Sequence, residues 1–187
     1  MKTFIALTFI GILTYGYAQL VTKTKCKDVT PMDGFSAPEF FTGKWYVTHV
    51  QKVTSKTVCQ TFDTSAVSSQ DLFVSEFTYN KDGQEIPIRC EANSEPVERK
   101  LHFSCKSNGN EVFKTEFVVL STDFKDYAVF YRCVTFTSGS NAGSKADNYL
   151  VVSKKSGNEE IPDKAKPFTK DLNLQKCSDL RTLKQIV

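Results

Sequence analysis

Short runs of alternating apolar and polar residues fill most of the chain. In one run, Phe113, Phe117 and Val119 share one face while Lys114 and Glu116 share the other, as a half-buried β-strand requires. The pattern predicts strands at about 43–52, 56–66, 70–80, 84–93, 97–106, 111–121, 125–137 and 145–154.

Turn residues separate these strands. Residues 80–83 (Asn-Lys-Asp-Gly) and 107–110 (Ser-Asn-Gly-Asn) predict hairpin turns, because Gly and Asn accept positive φ. Sequential strands without a long helix between them predict an all-β fold, an eight-stranded antiparallel up-and-down barrel. A barrel of about eight strands encloses room for one small ligand. We expect a helical turn at 36–41 before the barrel, and a C-terminal helix at 164–174 followed by a mobile tail.

The first residues have the features of a secretory signal peptide. Lys2 precedes an apolar run from Phe4 to Leu13, and small residues end at Ala18. The apolar run is too short for a membrane span, which needs about 20 residues. We therefore predict a leader at 1–18 and a single secreted domain at 19–187.

Composition narrows the function. The formal net charge is only +3 with scattered basic residues, which does not indicate nucleic-acid binding. Six cysteines in an exported chain predict three disulfides, although six allow about 15 connectivities. No Cys-x-x-Cys spacing indicates a redox or zinc site. With His49 and His102 as the only histidines, no nucleophile–base arrangement emerges, so we predict no catalytic and no metal site.

Two motifs resemble a known family. Gly43-Lys44-Trp45-Tyr46 and the later Thr122-Asp123-Phe124-Lys125-Asp126-Tyr127 resemble the first two signature motifs of lipocalins. Residues 44–49, residues 127–133 and all six cysteines are similar to the salivary lipocalins of blood-feeding triatomine bugs, the triabin, pallidipin, triplatin and dipetalodipin group. This similarity extends over essentially the whole chain and implies a lipocalin barrel closed at its Trp end.

The resemblance also implies the disulfides Cys26–Cys133, Cys59–Cys177 and Cys90–Cys105. Two departures from the wider pattern matter. Lys154 stands where lipocalins usually place an Arg near the Trp. The resemblance therefore does not predict how that end of the barrel is closed. Thr78 stands where the haem-carrying relatives place the iron-binding histidine, so the resemblance implies no haem and no other cofactor.

Strand alternation then predicts a ligand site. If Cys59 and Cys133 point outward, their neighbours point into the barrel. A mostly apolar pocket with a few polar groups is typical of small-molecule sites. The predicted ligand-binding residues are Gln60 and Phe62 on the second strand, Phe130, Arg132 and Val134 on the seventh, His49 beyond Trp45 on the first, and Phe117 on the sixth.

Arg132 has two interpretations. Its guanidinium can hold a ligand carboxylate in two parallel hydrogen bonds, or it can pair with Glu76 at the barrel mouth. Matching Thr78 to the haem position turns Glu76 inward, whereas the pattern of Phe73, Phe77 and Tyr79 turns the aromatic residues inward instead. An inward Glu76 favours a cationic amine.

The resemblance implies capture of a lipid mediator such as thromboxane A2, and with it inhibition of collagen-induced platelet aggregation. An alternative is an outer-surface inhibitor of a plasma protein: thrombin, as triabin inhibits, or the contact-phase factors (factor XII, kininogen) of the triafestins. A third is scavenging of a biogenic amine. A monomer without membrane insertion is expected in each case.

Overall fold

The computed structural model describes residues 25–55, 57–81, 84–93 and 99–185. The predicted signal peptide lies outside these residues. Eight antiparallel strands form a sheet in the order β2-β3-β4-β5-β6-β7-β8-β1, and β1 pairs back with β2 to close a barrel, which confirms the predicted fold. The strands are β1 (Gly43–Val50), β2 (Thr61–Val67), β3 (Leu72–Lys81), β4 (Gln84–Asn93), β5 (Leu101–Ser107), β6 (Asn110–Thr122), β7 (Tyr127–Phe136) and β8 (Lys145–Ser153).

The strands have two faces with different partners. Phe130 and Leu150 pair across β7 and β8 and point into the interior cluster. Their neighbours Val129, Tyr131 and Val151 belong to a second cluster on the outer wall. Because side chains alternate along a strand, membership of one cluster fixes the orientation of the whole strand.

The β1–β2 connection folds back against the barrel. The Asn148 side chain accepts a hydrogen bond from the Lys52 amide at 3.0 Å and donates one to the Lys52 carbonyl at 2.8 Å. Val58 in the same connection is buried. The predicted start of the second strand at residue 56 is therefore wrong, since β2 begins at Thr61.

A short helix, α1 (Ala37–Phe40), closes one end of the barrel. The Trp45 indole N–H donates to the Phe40 carbonyl at 3.0 Å, and the two rings stack at 5.0 Å. We call this end the floor and define it by Phe40, Phe41 and Trp45. The end at the β1–β2 connection is called the mouth.

The C-terminal segment differs in part from expectation. A 3₁₀ turn (Asp163–Ala165) leads into α2 (Lys166–Thr169), which ends early, and Asn173 then adopts a left-handed φ of 48°. A two-residue strand, β9 (Gln175–Lys176), pairs with β1, and α3 (Cys177–Gln185) occupies most of the segment predicted as a mobile tail. In the described ranges, no helix is both long and apolar enough to cross a membrane.

The three disulfides pair as the resemblance implied. Cys26–Cys133 ties the N-terminal arm to the outer wall, and Cys59–Cys177 ties α3 to the residues before β2. Cys90–Cys105 joins neighbouring strands, and both cysteines are buried in the interior cluster. Each disulfide is worth about 2–4 kcal/mol of stability.

Candidate functional site

The barrel encloses a cavity of about 60 Å³ lined mainly by aromatic rings. Trp45 and Val152 are part of the lining, together with phenylalanines from α1, from the residue after it and from five strands. Those rings are Phe40, Phe41, Phe62, Phe77, Phe103, Phe113, Phe117 and Phe130. The polar lining consists of Thr64, Ser75, Thr115 and Arg132. No carboxylate is present among these lining residues, so the cavity does not offer a counter-ion for an amine.

Phe117 lies at the centre of the aromatic lining. Its ring is 4.7 Å from that of Phe130, 5.7 Å from Phe40 and 5.9 Å from Phe41, measured between centroids. Rings at these distances pack favourably in tilted or edge-to-face arrangements. The space inside the barrel is therefore small because aromatic side chains occupy most of it.

Arg132 places a positive charge in this apolar cavity. It lies on β7, opposite Phe117 of β6 and Asn148 of β8. Within the described ranges, no side chain or backbone oxygen forms a hydrogen bond or ion pair with its guanidinium. Burial alone lowers the pKa of Arg132 to about 10, which still leaves it charged at neutral pH. Among the described residues, the cavity thus holds a cation without a protein counter-ion.

Four of the seven predicted ligand residues line the cavity: Phe62, Phe117, Phe130 and Arg132. Val134 lies two residues beyond Arg132 on the same face, opposite Thr115 and Ala146, but outside the lining. Gln60 also lies outside it. The buried Oε1 atom of Gln60 has no hydrogen-bond partner within the part of the chain that the structure describes.

The predicted inward orientation of His49 is wrong. The register between β1 and β8 shifts at Thr48, so that Val47 pairs with Val152 but His49 pairs with Val151. Val152 lines the cavity, whereas Val151 belongs to the outer-wall cluster. A bulge of one residue reverses the alternation beyond it, and His49 is therefore buried under the C-terminal segment, opposite Lys176.

The orientation of β3 answers the question about Glu76. Phe73 is buried in the interior cluster and Phe77 lines the cavity, so the aromatic residues point inward. Glu76 points outward and accepts a hydrogen bond from Arg89 at 2.8 Å. Thr78 is exposed on the same outer face. Arg132 and Glu76 therefore do not form the ion pair that one interpretation predicted.

Sequence reasoning missed the polar lining residues Ser75, Thr64 and Thr115. The signal for Ser75 was available, because it lies midway in the alternation of Phe73 and Phe77. Thr115 likewise lies midway between Phe113 and Phe117. A short hydroxyl side chain between two aromatic residues changes the average hydrophobicity little and is easily overlooked.

Lys154 closes the floor in place of the usual arginine. Its ammonium lies 4.0 Å from the centroid of the Trp45 ring, a cation–π contact, and also donates to the Thr42 carbonyl. Burial lowers the pKa of Lys154. At the same end, the Asp123 carboxylate accepts hydrogen bonds from the amides of Lys125, Asp126 and Tyr127 at 2.9–3.2 Å and orders the turn before β7.

A closed eight-stranded antiparallel barrel with a tryptophan at its floor and an interior cavity is the architecture of the lipocalin class of proteins. The sequence model of the Triabin family matches residues 18–166, so the chain belongs to that family. Procalin from Hospesneotomae protracta is 40% identical over 177 residues, which cover 95% of this chain and 99% of that protein. Triabin from Meccus pallidipennis is 36% identical, with 82% of this chain and 92% of that protein covered.

A solved structure with the same fold is LTBP1 in complex with LTC4. It superposes with a TM-score of 0.59 at 26% identity, covering 78% of this chain and 88% of that chain. A variant of LTBP1 in complex with leukotriene C4 superposes with a TM-score of 0.56. These neighbours and relatives are binding proteins of the lipocalin type, which fits a function without catalysis.

Proposed function

We propose that this chain is a secreted salivary protein that captures a small hydrophobic anion in its barrel. The observation that carries the proposal is the lone Arg132 guanidinium in an aromatic cavity. A charge buried in apolar surroundings is costly unless it is paired. A ligand carboxylate can supply the missing partner through two parallel charge-assisted hydrogen bonds.

The ligand that fits this chemistry best is an eicosanoid such as thromboxane A2, which combines one carboxylate with a long apolar chain. LTBP1, which resembles this chain in fold and sequence, binds leukotriene C4, and this supports the same ligand class. Capture of thromboxane A2 would inhibit collagen-induced platelet aggregation. Sequestration depends on affinity and dose, and nanomolar binding corresponds to about −12 kcal/mol.

The small size of the cavity sets a condition for ligand entry. Ligand pockets usually have volumes of about 300–1,000 Å³, whereas the cavity here measures about 60 Å³. An eicosanoid therefore enters only if aromatic rings, Phe117 first among them, rotate away from the centre. Side-chain rotations of this kind are common on ligand binding and need little backbone movement.

The three disulfides support the predicted secretion, because such bonds persist in oxidising compartments. Cys26–Cys133 and Cys59–Cys177 also hold the N- and C-terminal arms against the barrel. The leader at 1–18 would then be removed during export.

Trp45 provides a direct test. It is the single tryptophan of the chain and lines the cavity, so its fluorescence reports occupancy. We would titrate the mature protein with a stable thromboxane analogue, leukotriene C4, arachidonic acid, serotonin and ADP, and confirm stoichiometry by calorimetry. Selective submicromolar binding of the eicosanoids near one to one is expected. If no small molecule changes the fluorescence or releases heat, the proposal is rejected. The outer wall would then be tested for inhibition of thrombin and of the contact-phase proteases.

Arg132→Met separates the anchor from general effects. Loss of a hydrogen bond to a charged group should weaken eicosanoid binding by roughly 1.5–3 kcal/mol. Arg89→Met is the matched control, because Arg89 is paired with Glu76 on the outer wall. Equal affinity in the Arg132 variant and the wild type would remove Arg132 from the site.

A further inference from the structure

The polar side chains of the cavity form two groups on opposite walls. Thr115 and Arg132 lie on β6 and β7, and Thr64 and Ser75 lie on β2 and β3. In the closed strand order, β2–β3 and β6–β7 are four strands apart and face each other across the barrel. The phenylalanine rings fill the space between the two groups.

The two groups also lie at different depths. Thr64 pairs with Gly43 at the start of β1, near the floor, and Ser75 is its neighbour on β3. Arg132 pairs with Asn148, whose side chain binds the backbone of Lys52 at the mouth. A ligand anchored at Arg132 therefore extends its other end toward the Thr64–Ser75 wall.

The hydroxyls near the floor have unused hydrogen-bonding capacity. The Thr64 hydroxyl donates its proton to the Gly43 carbonyl at 2.8 Å, which leaves its oxygen free to accept. The Ser75 hydroxyl has no hydrogen-bond partner among the described residues, although it lines the cavity. A ligand oxygen that reaches Ser75 can therefore add a hydrogen bond that the protein itself does not make.

We propose that Ser75 and Thr64 form a second polar subsite, which selects anions that carry a hydrogen-bonding oxygen far from the carboxylate. The preferred ligand is then an oxygenated fatty acid, with its carboxylate on Arg132 near the mouth and its distal oxygen on Ser75 near the floor. Ser75 can donate to that oxygen, and Thr64 can accept from a ligand hydroxyl. This inference rests on the proposed function and names the ligand class of the same site.

The test compares arachidonic acid with a set of its monohydroxylated positional isomers, followed by Trp45 fluorescence. We expect the wild type to prefer isomers with a distal hydroxyl by roughly 3- to 10-fold over the plain acid, the value of one neutral hydrogen bond. Ser75→Ala should abolish this preference, so that the variant binds the hydroxylated and the plain acids with equal affinity. Ser65→Ala is the matched control, because Ser65 is exposed on the outer face of β2.

The outcomes separate the two proposals. Arg132→Met should weaken binding of plain and hydroxylated acids by the same factor, whereas Ser75→Ala should reduce the ratio of their two affinities to about one. If the wild type binds all the acids equally, or if Ser75→Ala keeps the preference, the second subsite is refuted while anion capture stands. If neither plain nor hydroxylated acids bind to the wild type, both proposals fail.

Discussion

Two cations lie in two parts of this barrel, Lys154 at the floor and Arg132 in the cavity, and their surroundings differ. Lys154 at the floor sits over the Trp45 ring and donates to the Thr42 carbonyl, so the protein itself stabilises its charge. Arg132 faces the cavity and has neither an acidic nor a backbone partner among the described residues. The comparison separates a structural cation from a binding one: the first completes the fold, and the second is stabilised only when a ligand arrives.

The floor should be the more fragile of the two regions. Trp45 is 1% exposed, stacks on Phe40 and donates to its carbonyl, and carries Lys154 on its ring. Trp45→Ala should therefore lower the free energy of unfolding by about 3–5 kcal/mol. Urea denaturation followed by circular dichroism would measure it, since the variant lacks tryptophan. A loss below about 1 kcal/mol would mean that the floor does not depend on this side chain.

Replacing Arg132 should raise the stability of the unliganded protein, whereas replacing Trp45 lowers it. Arg132→Met removes a desolvated charge and fills the same space with an apolar chain, so the unliganded protein should gain about 1–3 kcal/mol of stability. The same variant should lose eicosanoid affinity. Thermal unfolding with and without the ligand would show both effects. A destabilised variant would imply that Arg132 is a structural cation like Lys154.

Lys154→Met tests the other half of the comparison. Loss of the cation–π contact and of the hydrogen bond to Thr42 should cost about 1–2 kcal/mol. Ligand affinity should change little, because the ammonium lies at the floor and is not among the cavity-lining groups. Urea denaturation and the fluorescence titration together check the prediction. Lys155→Met is a suitable control, because the neighbouring Lys155 is exposed and pairs with Asp126 on the surface.

The cavity and the floor also show which features could be predicted from the sequence and which could not. Alternation and turn residues predicted the barrel, and the resemblance implied the disulfides that orient β7. Arg132 was therefore predicted to face inward, as it does. The sequence showed Lys154 only as a departure from the usual lipocalin pattern. Its contact with Trp45 could not be predicted, because it joins residues more than a hundred positions apart.

The failures have local physical causes. His49 was misplaced because the bulge at Thr48 leaves no signature in the apolar–polar pattern. The segment 177–185 was predicted to be a tail, but it forms the helix α3. Its position depends on the disulfide to Cys59 and on the short strand before it. Sequence periodicity predicts elements, but it does not predict register shifts or contacts between the two ends of the chain.

His49 is a buried base on the other side of β1 from the cavity. A neighbouring hydroxyl contacts it, rather than an aromatic ring or a ligand. Its Nδ1 lies 3.0 Å from the Thr48 hydroxyl. That hydroxyl donates its own proton to the Val151 carbonyl, so Nδ1 must be the donor to it. Burial lowers the pKa of this imidazole below the ordinary 6.5, although Glu159 partly opposes the shift.

A lowered pKa predicts the direction of a pH effect. The unfolded chain takes up a proton at His49 near pH 6.5, whereas the folded chain does so only at lower pH. Stability is thus fully present above about pH 6.5 and falls as the pH drops toward the folded pKa, by at most about 1.4 kcal/mol per pH unit. Urea denaturation between about pH 7.5 and 5 should show this slope in the wild type and a flatter one in His49→Gln. Parallel slopes in the wild type and His49→Gln would mean that His49 takes up its proton over the same pH range in the folded and the unfolded chain, so that burial does not lower its pKa.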